Sequence, residues 1–144
     1  MYRTLKAYRS SLLSLIILMI IFSFSLQAGS ESDLQSGFVV KMVISLFEFL
    51  NLPTTGYPLA FYVRKVAHFT EYFVFGLSLV FTAKELKNPK FLYLGFIIPI
   101  LDEGIQAFVP NRVPSIIDMG IDALGLVCGI LFIRLLFDLK SKQL

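Results

Sequence analysis

Four apolar runs divide the chain, at residues 12–28, 67–83, 91–108 and 116–137. Each approaches the ~17–25 residues a helix needs to cross the hydrocarbon core of a bilayer. The pattern predicts an all-α integral membrane bundle of four transmembrane helices, in one domain covering residues 1–144. Between the first two runs, residues 27–37 are polar and rich in Gly and Ser, which reads as an exposed loop. Residues 38–52 are apolar apart from Lys41, Ser45 and Glu48, a narrow polar stripe at helical period. That stretch is short for a crossing and predicts a short amphipathic helix lying in the outer interface, with a re-entrant hairpin as the competing reading. Pro53, Gly56 and Pro58 then turn the chain into the second run, and Pro99 should kink the third.

The first run follows Arg3, Lys6 and Arg9, so it has the outline of a secretory signal peptide. Its apolar region is long for a signal and Leu26-Gln27-Ala28 is an indifferent cleavage site, which favours a retained anchor. Orientation follows from the basic residues. An inside N-terminus puts Arg3, Lys6, Arg9, Lys84, Lys87, Lys90, Arg134, Lys140 and Lys142 on the cytoplasmic side, with both termini. Only Lys41, Arg64, Lys65 and Arg112 fall outside. A tight basic turn over residues 84–90 joins the second and third runs.

Composition agrees with this class: 56% of the 144 residues are hydrophobic and 16% charged, with a mean hydropathy of +0.77. That is more apolar side chain than a small soluble globule can hide. The pI near 9.1 does not point to nucleic acid, because the basic residues flank the apolar runs instead of forming a groove-binding stripe. Cys128 has no intrachain partner, so there is no disulfide framework.

Against that apolar background three clusters stand out: Arg64, Lys65, His68 and Glu71; Asp102, Glu103 and Gln106; Arg112, Asp118 and Asp122. A charge at the middle of a membrane helix costs about 2.5–3.5 kcal/mol on insertion scales, so such residues are paired and usually functional. Measured from the cytoplasmic helix ends at 1.5 Å per residue, Glu71 lies roughly 18 Å up, Asp102 roughly 16 Å and Asp122 roughly 22 Å. Three helices of alternating direction therefore bring their polar groups to one level in the outer half of the bilayer. Arg64, Lys65, His68, Glu71 and Tyr72 share one helical arc, and Asp102 and Gln106 are i, i+4 neighbours. Asp118 and Asp122 lie on the same face as Gly125 and Gly129, a small-xxx-small pair that admits a neighbouring helix. The carboxylates should point into the bundle.

These strings resemble the VanZ-like family: Arg64-Lys65-Val66-Ala67-His68-Phe69-Thr70-Glu71-Tyr72, then Asp102-Glu103 with Gln106, then Arg112 followed by Asp118, Asp122, Gly125 and Gly129. The likeness covers residues 64–130. One departure is Asp122, where the family pattern more often has Asn; the added negative charge favours a shared proton or a bound cation. The resemblance implies a bacterial cytoplasmic-membrane protein concerned with the cell envelope, in a family named for low-level resistance to teicoplanin, a lipoglycopeptide. It brings no defined reaction with it.

Several accounts of the outward pocket compete. In a catalytic one, His68 is general acid or base, oriented by Glu71 or another carboxylate among Asp102, Glu103 and Asp118. Arg64, Lys65 and Arg112 then hold a phosphate or carboxylate of a membrane lipid or lipid-linked envelope precursor, with Tyr72, Gln106 and Asp122 as further contacts. The carboxylates could hold a divalent cation, Mg²⁺ or Ca²⁺; zinc has less support, because there is no second His. No Gly-x-Ser-x-Gly element, P-loop or HExxH motif is present. A binding-only pocket for a lipid or antibiotic, a structural ion-pair network and a small proton-coupled exporter are the alternatives. Five acids against three firm bases weigh against a closed network.

Overall fold

The computed structural model describes residues 2–53 and 58–141. Gly56 of the expected turn and Lys142 fall outside that set, as do the side chains of Arg3 and Lys6. The described residues form six helices and no strand: α1 Tyr2–Ser25, α2 Gly29–Phe49, α3 Leu59–Glu85, α4 Lys90–Gly95, α5 Ile98–Gln106 and α6 Ile116–Ser141. Three of them, α1, α3 and α6, are long and apolar enough to cross a membrane.

The run expected as a third span is broken in two. Backbone bonds tighten to the i−3 pattern at Phe96 and Ile97, and Pro99, buried at the start of α5, has no N–H to continue the ladder. The pair α4–α5 nonetheless travels the length of the bundle. Gly95 lies against Leu79 towards the end of α3, while Asp102 and Gln106 reach the opposite end beside Ser25.

Helix α2 starts earlier than composition implies. Residues 29–37, expected as loop, are helical, and the helix stops at Phe49. Ser, Glu and Asp are loop-rich residues, but the same types favour the first turn of a helix. Lys41 and Glu48 are exposed as a solvated stripe, yet so are Phe38, Met42, Leu46 and Phe49. Both faces of this helix therefore look outward over much of its length.

The bundle is built on α3, which packs most extensively against α6 and next against α1. α3 and α6 run parallel: Lys65 meets Asp118, Gly125 meets Phe69, Gly129 meets Phe73 and Phe137 meets Phe81. Gly125 and Gly129 form the close seam that their spacing predicted, and Gly76 of α3 answers them against the Leu126 carbonyl. α1 runs antiparallel to α3. A hydroxyl cluster joins them, with Ser14 Oγ 3.0 Å from Ser78 Oγ and 2.9 Å from Thr82 Oγ1.

Burial differs from that of a soluble domain, because an apolar exterior surrounds a core that holds carboxylates beside Ile21, Phe75, Leu79 and Leu126. Leu, Ile, Phe and Val side chains cover the exterior, while Tyr72 and Asp122 are 0% exposed and Asp102 is 1% exposed. Lys84 stacks over Phe137 4.0 Å from its ring centroid, and Lys84, Lys87 and Arg134 line one hollow. The buried carboxylates thus gather at one end of the bundle, and Lys84, Lys87 and Arg134 at the other. With its apolar exterior and three long spans, the protein is membrane-embedded.

Candidate functional site

Close approach of α3 and α6 lets short carboxylates reach across. Lys65 forms an ion pair with Asp118, and one turn deeper His68 Nδ1 lies 3.1 Å from Asp122 Oδ1. The pairs align because the partners are three residues apart on α3 and four apart on α6, each near one helical turn.

α5 and the end of α1 supply the facing wall. The Asp102 carboxylate accepts hydrogen bonds from the Ser25 hydroxyl and from Gln106 Nε2 at 3.5 Å. Arg112 reaches back from the loop after α5. It donates to the Phe24 carbonyl at 3.0 Å, to the Gln27 carbonyl at 3.3 Å and to Gln106 Oε1 at 3.5 Å. A cation at the last carbonyls of a helix is favourable electrostatically and satisfies groups that the helix cannot. Arg112 therefore positions the end of α1 as well as bordering the pocket. Gly29 completes this corner: its N–H donates to the Pro110 carbonyl at 3.1 Å, and a Cβ there would collide with the Asn111 backbone.

Glu103 and Asp118 serve the start of α6. Glu103 Oε2 accepts the Ser115 N–H at 2.7 Å, and Ser115 Oγ accepts the Asp118 N–H at 3.2 Å. Ser115 is a side-chain cap, and two carboxylates lie where the helix dipole favours negative charge.

A cavity of about 230 Å³ opens at this end. Arg64, His68 and Glu71 of α3 face Gln106, Arg112 and Ser25 across it. Seven of the sequence-derived candidates thus fall into two groups that share His68. Arg64, His68, Glu71, Gln106 and Arg112 border the cavity, and behind them His68, Asp102 and Asp122 bring one ligand atom each within 4.8 Å of one another. Lys65, Tyr72, Glu103 and Asp118 are not among the cavity's lining residues. Tyr72 lies beneath the floor beside Asp102, and its hydroxyl makes no hydrogen bond of normal geometry.

Sequence reasoning missed Ser25, Gln27 and Ser115. Ser115 carried a signal, since Ser followed three residues later by Asp before an apolar run is a helix-start pattern. Ser25 carried almost none, because a hydroxyl in a membrane helix can satisfy itself on its own backbone; Ser25 Oγ does also reach the Ile21 carbonyl at 3.2 Å.

A family model described as VanZ/LLP1 matches residues 11–137. No curated protein and no solved structure matches the chain.

Proposed function

The chain belongs to the VanZ/LLP1 family, and on that premise we propose that it binds the anionic head group of a membrane lipid or lipid-linked envelope precursor in an outward-facing pocket. One observation carries this: the cavity of about 230 Å³ between α1, α2, α3 and the end of α5, walled by Arg64, His68 and Arg112. Drug-sized ligands occupy pockets of about 300–1,000 Å³. This cavity suits a phosphate-bearing head group, with the acyl chains left against the apolar exterior. A whole lipoglycopeptide is far too large for it.

The basic end of the bundle, carrying Lys84, Lys87 and Arg134, supports the proposed sidedness. If basic residues stay in the cytoplasm, then α1, α3, the α4–α5 pair and α6 make four crossings, both termini are cytoplasmic and the cavity opens on the outer face. On this reading the pocket lies in the cytoplasmic membrane of a bacterium, where envelope precursors meet the exterior. Holding or redistributing a head group there would alter access to the target of a teicoplanin-type antibiotic, and resistance follows from that without antibiotic binding.

One contact favours processing over holding: the His68–Asp122 hydrogen bond is the base-and-orienter arrangement of a general acid–base group. Comparing phospholipids and lipid-linked precursors by mass spectrometry, with and without the gene, separates the two. Processing changes a species' structure, whereas holding changes none.

The binding claim itself is tested with protein in nanodiscs of defined composition. Native mass spectrometry should show a retained lipid phosphate that Arg64→Ala releases, with the protein still folded. Equal retention of neutral and phosphorylated lipids by wild type and Arg64→Ala would refute it.

A further inference from the structure

We propose that His68, Asp102 and Asp122 hold one divalent metal ion of the type that accepts mixed imidazole and carboxylate ligands, Zn²⁺ or Mn²⁺. The sequence alone favoured carboxylates acting together on Mg²⁺ or Ca²⁺ over a zinc site of His68 with two carboxylates. The fold instead selects the single imidazole of the chain and two carboxylates from different helices, with ligand atoms within 4.8 Å of one another. Nitrogen in the donor set moves preference from the hard, oxygen-loving ions toward zinc and manganese.

Three observations converge on an ion. First, His68 Nδ1 and Asp122 Oδ1 are 3.1 Å apart. Adjacent donors around an ion with bonds of about 2.0–2.2 Å are separated by roughly 2.8–3.6 Å between octahedral and tetrahedral angles, so a metal can replace the proton these atoms share. Second, Asp122 is 0% exposed, yet its Oδ2 has no hydrogen-bond partner among the described residues. Glu103 Oε1 and the Tyr72 hydroxyl share that condition nearby. Buried polar atoms are nearly always satisfied, and an unmet group in a buried cluster marks a place for a ligand. Third, Glu71, Asp102, Glu103, Asp118 and Asp122 outnumber Arg64, Lys65 and Arg112 by two negative charges with His68 neutral. One divalent ion cancels that surplus in a setting where unbalanced charge is costly.

The outer contacts are those a ligated site uses. Ser25 and Gln106 hold the Asp102 carboxylate, and ligating carboxylates are commonly fixed by such hydrogen bonds. Metal on Nδ1 leaves His68 Nε2–H as a donor beside the cavity. The metal claim does not depend on the head-group reading, and the two fail separately: Zn²⁺ binding without lipid retention refutes only the latter.

The test uses full-length protein, stripped with EDTA and titrated with Zn²⁺ or with Mn²⁺ alone. About one equivalent of one ion should bind by elemental analysis and raise the midpoint of thermal unfolding by several degrees. Asp122→Asn preserves shape and the hydrogen bond to His68, and should weaken binding by about 100-fold or more, while Glu48→Gln should leave it unchanged. X-ray absorption of the loaded wild type needs no variant, and should show a nitrogen and oxygen shell with one imidazole. Failure to bind either ion, equal binding by Asp122→Asn, or a shell containing sulfur or lacking imidazole would each overturn the proposal.

Discussion

Replacing Gly125 with Ala should separate the two helices that form the site. A Cβ on Gly125 would land on the Phe69 carbonyl oxygen, and it would also sit 3.2 Å from both Phe69 C and Cα. All three are backbone atoms of a packed helix, so no flexible side chain can yield. Relief requires α3 and α6 to move apart by on the order of 1 Å, and overpacking of this kind costs about 1–3 kcal/mol. The damage falls next to the chemistry, since Phe69 adjoins His68 and Gly125 is one turn from Asp122. A His68–Asp122 separation of 3.1 Å would pass beyond hydrogen-bond range, adding roughly 0.5–1.5 kcal/mol. The expected total is about 2–4 kcal/mol of lost stability in a reversible unfolding assay in bicelles. Gly120→Ala on the same helix is the control, because its Cβ would meet nothing within 4 Å. If Gly125→Ala unfolds like wild type and like Gly120→Ala, the α3–α6 seam is not where it is described.

Other outcomes follow from single contacts. Asp118→Ala leaves Lys65 without its partner, so it should destabilise by about 3 kcal/mol, whereas the double replacement Lys65→Met with Asp118→Leu should recover most of that in the same assay. Lys87 ends α3 at φ 52°, with the following N–H of Asn88 bonded to the Ala83 carbonyl; Lys87→Gly should therefore raise thermal stability by about 1 kcal/mol. Ile21 and Ser25 of α1 are buried in the bundle, so intact-mass measurement of membrane-extracted protein should find α1 still attached, and a mature chain starting after Ala28 would contradict its place in the core.

Much of the site was legible because charge in an apolar run is expensive, and helical period tells which face it occupies. His68, Asp122, Asp102 and Gln106 converge as their spacing implied, and Gly125 and Gly129 mark the seam. Pro99 broke the third run as its missing N–H requires. Partners were less legible than faces. Arg112 borders the pocket as an anion-holding residue would, but chain reversal also brings it under the carbonyls of Phe24 and Gln27, and no local pattern reveals a contact across that sequence distance. The early start of α2 was hidden because composition cannot separate a polar loop from a polar first turn. The hydroxyls of Ser14, Ser78 and Thr82 were silent for a related reason: small polar residues sit in membrane helices with or without an interhelical partner.

Thiol accessibility tests the central claim most directly. In a Cys128→Ser background, Arg64→Cys places a thiol in the cavity wall and Lys87→Cys places one at the basic end. A membrane-impermeant maleimide added to intact spheroplasts should label Arg64→Cys at once and Lys87→Cys only after permeabilisation. The reverse order, or labelling of both only after permeabilisation, would put the pocket on the cytoplasmic side and contradict the account.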